Sequence, residues 1–345
     1  MKNSNIEWTD HTFNPWTGCA KVSPGCANCY AESWAKRSGI VKWNGPRRRT
    51  SASNWNQPHK WDREACAGPL PGDDPLRRPR VFCASLADWL DNEVPIEWLA
   101  DLLALIHQTP NLDWLLLTKR PQNWLPRLEE VTHFAMFSKA HHALLPFLAR
   151  WHPAHDSAGG VTGSPIPPAN VWIGTTVEDQ TRADERIPHL LRIPARVRFL
   201  SCEPLLGHVD LAIGDPKHRT AESYHAEIHW VIAGGESGPG ARPMHPEWAR
   251  SLRDQCAAAG VAFHFKQWGE WEPGEIAPNG ATYYISAATG KILQYTSRSM
   301  RSPERVNFGT HSDPYSGPIT AQRVGKKSAG RLLDGIEHNA FPPSA

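Results

Sequence analysis

Short apolar runs without polar alternation recur along the chain, each ending in polar residues and leading into a stretch of helical period. The runs cover residues 80–85, 114–118, 171–175, 197–201, 229–233 and 261–265. Runs of this length that do not alternate are what strands buried on both faces look like. Between them, Ile96, Leu99, Leu103 and Ile106 fall on one side of a helix over 96–108. Pro121 starts a second helix that runs to Glu130, and a third covers 180–192. Pro246 opens a fourth, with Trp248, Leu252 and Cys256 at i, i+4 and i+8 and Gly260 closing it. Residues 8–16 alternate loosely and add a first strand, for seven in all.

Strands alternating with helices predict an α/β fold with a parallel sheet. The expected architecture is a complete or partial (β/α) TIM-like barrel with loop insertions; an open doubly wound sheet is the alternative. The polar residues favour the barrel. They follow the strands one after another: Ser85 and Asp88; Thr118, Lys119 and Arg120; Thr175, Thr176 and Glu178; Ser201 and Glu203; Gly234, Gly235, Glu236 and Ser237; Lys266 and Gln267. In a barrel these C-terminal strand ends meet at one mouth, where such folds place their chemistry. Any one of them alone reads equally well as a cap or a loop charge.

The first strand leads into residues 18–32, where Cys19, Cys26 and Cys29 stand in a C-x6-C-x2-C spacing. Pro24 and Gly25 bend the chain just before Cys26, so the segment reads as a tight loop that can turn three thiols toward one point. Three thiolates are one short of a closed structural zinc shell. The reading this favours is a 4Fe–4S cluster held by Cys19, Cys26 and Cys29, its fourth iron open to S-adenosylmethionine. Zinc completed by a distant histidine remains open, since the chain has 17 histidines. A disulfide fits less well, because seven cysteines are scattered over a long chain with no signal peptide ahead of the motif. Cys66, Cys83, Cys202 and Cys256 have no partner at ligand spacing and are expected to be non-ligands.

With 345 residues, 21% charged and 40% hydrophobic, the chain has a globular composition. No apolar run approaches the ~20 residues that span a bilayer, so the expectation is a cytoplasmic protein with no membrane association. Net charge is only +2, so any nucleic-acid contact must come from a local patch. Residues 37–80 supply a candidate, with ten Lys/Arg against four Asp/Glu and Trp43, Trp55 and Trp61 interleaved. Arg47, Arg48 and Arg49 are its densest point; a solvated insertion without a partner is the plainer reading. The expected organisation is a barrel over 1–270 with insertions at about 40–80 and 132–170. A loop-rich extension, 271–345, packs on it and carries a hairpin near 282–295. Residues 325–328, Gly-Lys-Lys-Ser, match a phosphate loop weakly, with no strand expected before them, and read better as a basic segment near the mouth.

Reductive cleavage of S-adenosylmethionine needs partners for its ammonium and ribose and a closed site around the radical. Gly234 and Gly235 bring backbone close to a ligand, Glu236 and Ser237 add a charge and a hydroxyl, and Glu178 or Glu203 suits a ribose, with Thr176 and Ser201 beside them. Lys119, Arg120, Arg242, Lys266 and Gln267 suit an anionic substrate. No catalytic residue is singled out.

Several blocks together resemble a phage-encoded three-cysteine-motif family related to radical S-adenosylmethionine enzymes and distantly like spore photoproduct lyase. They are the cysteine loop, residues 117–121, 176–178, 199–204, 234–239 and 266–269. The resemblance covers most of 5–270 and resumes near 326–335. It implies a barrel of the radical S-adenosylmethionine type, a cluster on Cys19, Cys26 and Cys29, and Glu236 as partner of the methionine ammonium. It also implies an external electron donor and, as substrate, DNA or a modified nucleotide. The reaction it suggests is rearrangement of a nucleobase in phage DNA, such as isomerising an amino-acid-modified thymidine during hypermodification. A photoproduct-type repair lyase and a non-catalytic zinc-dependent DNA-binding protein are the alternatives. Two departures stand out. The usual motif of that class is C-x3-C-x2-C with an aromatic before the third cysteine, whereas here the first gap is six and Tyr30 follows it. The Gly-Gly-Glu run also comes after the sixth strand instead of the second.

Overall fold

The structure is a computed structural model describing residues 2–68, 77–151, 154–155, 161–212, 228–276, 283–286, 292–294, 304–306 and 319–343. Seven strands build the main sheet: β1 (His11–Thr12), β2 (Arg80–Cys83), β3 (Asp113–Thr118), β4 (Val171–Thr176), β5 (Val197–Cys202), β6 (Trp230–Gly234) and β7 (Ala262–Gln267). Every neighbouring pair is parallel, and the order across the sheet is the order along the chain. A doubly wound sheet reverses its order partway; this one does not, and it curls into a half-barrel compatible with a partial TIM-like barrel.

Helices α1 (Tyr30–Ser38), α2 (Ile96–Gln108), α3 (Trp124–Phe137), α4 (Gln180–Leu191) and α5 (Pro246–Ala259) connect the strands. Their ends follow local chemistry. Gly39 and Gly260 stop α1 and α5 in the left-handed conformation. The Asp179 carboxylate caps α4 by accepting from the Arg182 amide.

Both faces of the sheet are buried, which explains the missing alternation. On the outer face Val81, Leu116, Val231 and Phe265 join Leu99 and Leu103 of α2, Leu128 of α3 and Leu252 of α5 in one core. Each fully buried Leu or Phe there contributes roughly 1.5–3 kcal/mol. On the inner face Phe82, Leu115, Trp172, Phe199 and Trp230 pack with Trp8 in a second core. Leu115, Trp172, Phe199 and Trp230 come from the N-terminal halves of their strands, so this core floors the barrel, with Phe82 and Trp8 reaching up to the cavity above it. Gly174 belongs to this floor: a Cβ there would lie 2.4 Å from the Phe199 ring.

The C-terminal tail covers the open edge. The Phe265 amide donates to His338 O (2.9 Å) and the Ala340 amide to Phe263 O (3.2 Å), extending β7. Phe341 then packs on Trp230, ring centroids 5.0 Å apart, with the Arg80 guanidinium 3.6 Å from its ring centre.

Four expectations change. Helix α3 does not stop at Glu130 but runs to Phe137, because Val131 and Ala135 are still buried. In the segment read as a basic insertion, Ala52–Trp55 and Gln57–Cys66 are helices. Arg47 there is buried with its guanidinium 2.6 Å from Asp91, and Arg49 pairs with Asp101 at 2.7 Å and lies over Trp55. The C-terminal region is not only loops: β8 (Trp271–Ile276), β9 (Tyr283–Ser286), β10 (Ile292–Gln294), β11 (Glu304–Val306) and β12 (Ile319–Arg323) form a second, antiparallel sheet. It contains the expected hairpin, β9 with β10, whose turn at 289–290 lies outside the described residues. A strand, β12, therefore does precede residues 325–328.

Candidate functional site

The cysteine loop enters from β1. Its first turn is tied down where the Gly18 amide donates to Leu86 O (3.1 Å), and Pro24–Cys26 form a single 3-10 turn with proline at its start. Cys29 stands three residues on, at the N-cap position of α1, and its side chain makes no capping hydrogen bond. Three strand ends clasp the loop from outside. After β3, Arg120 donates to Ala20 O (3.0 Å) and to Cys19 Sγ (3.6 Å). After β4, Glu178 accepts a short hydrogen bond from Ser23 Oγ and pairs with Arg186 at 2.7 Å. After β6, Glu236 accepts from Asn28 Nδ2 (3.0 Å), while Arg242 donates to Pro24 O (3.0 Å).

All three cysteines line one cavity of about 630 Å3 at the C-terminal end of the half-barrel. Of the residues expected around a cofactor and substrate, Lys119, Thr176, Ser201, Glu203, Gly235, Glu236, Ser237, Lys266 and Gln267 line it too. Gly234, Glu178, Arg120 and Arg242 are not part of the lining and sit behind it. Glu178 is fully buried and clamps the loop instead of facing a ribose. Gly235 is required by its own surroundings, since a Cβ there would fall 1.9 Å from the Trp268 carbonyl oxygen.

Charged groups around the cavity are largely paired. Arg242 holds Glu236 at 2.6 Å, Lys266 holds Glu203 at 2.7 Å, and Arg120 holds Asp88 at 2.9 Å. Burial alone would raise Glu236, but hydrogen bonds from Arg242 and Asn28 outweigh it and keep the carboxyl below its usual range. Burial, aided by the charge of Asp88, pushes the Cys19 thiol up to about 11 against the opposing pull of Arg120. Among the described residues, the Lys119 ammonium reaches only Thr176 Oγ1, at 3.0 Å.

Sequence reasoning missed Asn28 and Ser23, though both lie inside the cysteine motif, because their partners are far away in the chain. It also missed the line from Cys19 through Arg120 and Asp91 to Arg47. Lys326 lines the cavity, so the basic segment after β12 does reach the mouth. Trp43 lines it as well, while Trp61 is buried.

The donor chemistry suits a thiolate-bound cluster: the three cysteines are free thiols facing one space. No three His, Cys, Asp or Glu side chains among the described residues stand close enough together to make a preformed metal shell. Cys66, Cys83, Cys202 and Cys256 do not line the cavity; the last three are buried, and burial pushes Cys256 up to about 12. Among the described residues no helix is long and apolar enough to cross a membrane.

No match was found among curated proteins or among solved structures. The family model described as a protein of unknown function, DUF5131, matches residues 3–342, and the chain belongs to that family.

Proposed function

We propose that this protein is a radical S-adenosylmethionine enzyme whose 4Fe–4S cluster is held by Cys19, Cys26 and Cys29 and whose substrate is a nucleobase in DNA or in a modified nucleotide. The observation that carries this reading is the meeting of three free thiols and the polar ends of six strands, β2 to β7, in one cavity at the mouth of a half-barrel. When bound, such a cluster with one open iron supplies an electron to S-adenosylmethionine and so starts radical chemistry.

The chain's own residues do the rest. Ser23, Asn28 and Arg120 fix the loop so that its thiols stay on the cavity side. The aromatic floor of Phe82 and Trp8 excludes water beneath the site. Glu203, held by Lys266, presents a carboxylate for ribose hydroxyls. Trp43 offers a stacking face to a base, and a base buried in a duplex must leave the stack to reach it. The electron comes from an external donor. Isomerisation of an amino-acid-modified thymidine in phage DNA is the reaction proposed, with photoproduct-type repair the alternative within the same chemistry.

The test is anaerobic reconstitution followed by dithionite and S-adenosylmethionine. Release of 5′-deoxyadenosine by the wild type, and none by Cys26→Ser, supports the reading. One tightly held zinc with no cleavage would replace it with a zinc-dependent DNA-binding protein.

A further inference from the structure

The four cations expected to face an anionic substrate separate into two kinds. Arg120, Arg242 and Lys266 each have a carboxylate partner: Asp88 at 2.9 Å, Glu236 at 2.6 Å and Glu203 at 2.7 Å. Lys119 has none among the described residues. Its ammonium touches only a neutral hydroxyl, Thr176 Oγ1, at 3.0 Å. Asp88, the carboxylate that binds its backbone amide, is already engaged. Its Oδ1 accepts from Thr118 Oγ1 and the Leu90 amide, and its Oδ2 from the Lys119 amide and Arg120 Nη1.

The same contacts hold Lys119 in place. Asp88 grips its backbone at 2.9 Å, so the ammonium enters the cavity from the fixed end of β3. The parallel register continues the row: Thr118 is opposite Thr175, and Thr176 is opposite Ser201. Lys119, Thr176 and Ser201 therefore stand on three adjacent strand ends, and all three line the cavity. Ser201 is 3% exposed, and its hydroxyl makes no hydrogen bond among the described residues. An ammonium offers three donors and each hydroxyl one, so several donors converge with a single neutral contact between them. Leu117 and Phe82 line the cavity beside this row, and low polarity strengthens a charge-assisted hydrogen bond.

We infer that Lys119, Thr176 and Ser201 form an oxyanion subsite, which takes a carboxylate or phosphate carried by a molecule that binds in this cavity. This deepens the function proposed above and rests on it only for the identity of that molecule. The carboxylate of S-adenosylmethionine and an acidic group on the nucleotide substrate share the required chemistry.

The experiment is titration calorimetry on the protein without a cluster, so its outcome is independent of iron content and of radical cleavage. The probes are S-adenosylmethionine against its decarboxylated form, and thymidine 5′-monophosphate against thymidine. The wild type is expected to prefer the acidic member of one pair at least tenfold, and that pair identifies the source of the anion. Lys119→Gln should abolish the preference and leave the neutral member's affinity unchanged. Lys119→Arg should keep most of it, and Thr176→Val, which leaves the charge in place, should lose part. Lys327→Gln, an exposed lysine outside the lining, should change nothing. The inference is overturned if the wild type prefers neither acidic probe, or if folded Lys119→Gln, checked by its melting curve, retains the full preference.

Discussion

Gly25 of the cysteine loop lies directly against the carboxylate of Glu178 at the end of β4: a Cβ at position 25 would stand 2.5 Å from Glu178 Oε1. Glu178 is completely buried and also holds Arg186 at 2.7 Å. The loop is therefore seated on a buried ion pair, with room for glycine alone. Removing one partner of a buried pair costs about 3–5 kcal/mol, because the other charge is left uncompensated. Glu178→Ala should lower stability by about that much, seen as a shifted denaturant midpoint. Gly25→Ala should leave Arg186 paired and lift the loop instead. Its expected signature is lower metal uptake with a smaller loss of stability.

The arginine run 47–49 is not one surface. Arg47 is 1% exposed in its side chain and paired with Asp91, while Arg48 is exposed. Arg47→Ala should destabilise the fold by about 3 kcal/mol or more, whereas Arg48→Ala should be neutral to stability within about 0.5 kcal/mol. If DNA binds beside the mouth, Arg48→Ala should reduce the slope of log K against log salt by about 0.7–0.9, one phosphate contact. Urea titrations and salt-dependent binding of both variants check this.

His264 gives the protein an acid-sensitive floor. It is 1% exposed, neither ring nitrogen has a hydrogen-bond partner among the described residues, and the rings of Trp230 and Phe341 flank it. Burial, reinforced by Arg331, Lys266 and Arg80, holds it down to about 4 from its ordinary 6.5. Between those values the unfolded chain binds more protons than the folded one, so stability falls as pH drops through the window and is retained above it. His264→Phe should flatten this limb, removing up to about 3 kcal/mol of the difference between pH 7 and pH 4. Midpoints measured across that range for both proteins decide it.

The tail at 338–341 should matter although it is far from the cysteines in sequence. Phe341 covers Trp230 and carries Arg80 on its other face. Phe341→Ala should cost about 2 kcal/mol, less than a fully enclosed phenylalanine, and the loss should appear as a lower melting temperature.

The strands were legible because burial on both faces leaves a plain signal: Leu115, Leu116 and Leu117 need no alternation when Leu116 meets the helices and Leu115 the barrel floor. The polar strand ends were legible for the same reason, since each interrupts an apolar run. Their roles were not. Glu178 reads as a ribose partner until Ser23, 155 residues away, is found on its carboxylate. Arg47 reads as a phosphate contact until Asp91, 44 residues on, is found beside it. Composition records neither pairing, because a charge looks the same whether its partner is solvent, ligand or another side chain.

The central claim is that Cys19, Cys26 and Cys29, and no other cysteine, hold one cluster. The most direct measurement is iron and sulfide per chain after anaerobic reconstitution of the wild type and of single serine variants. About four irons and four sulfides are expected, lost in Cys19→Ser, Cys26→Ser and Cys29→Ser and retained in Cys66→Ser, whose thiol is exposed and outside the cavity. A single zinc per chain, about eight irons, or an unchanged cluster in Cys26→Ser would contradict the account.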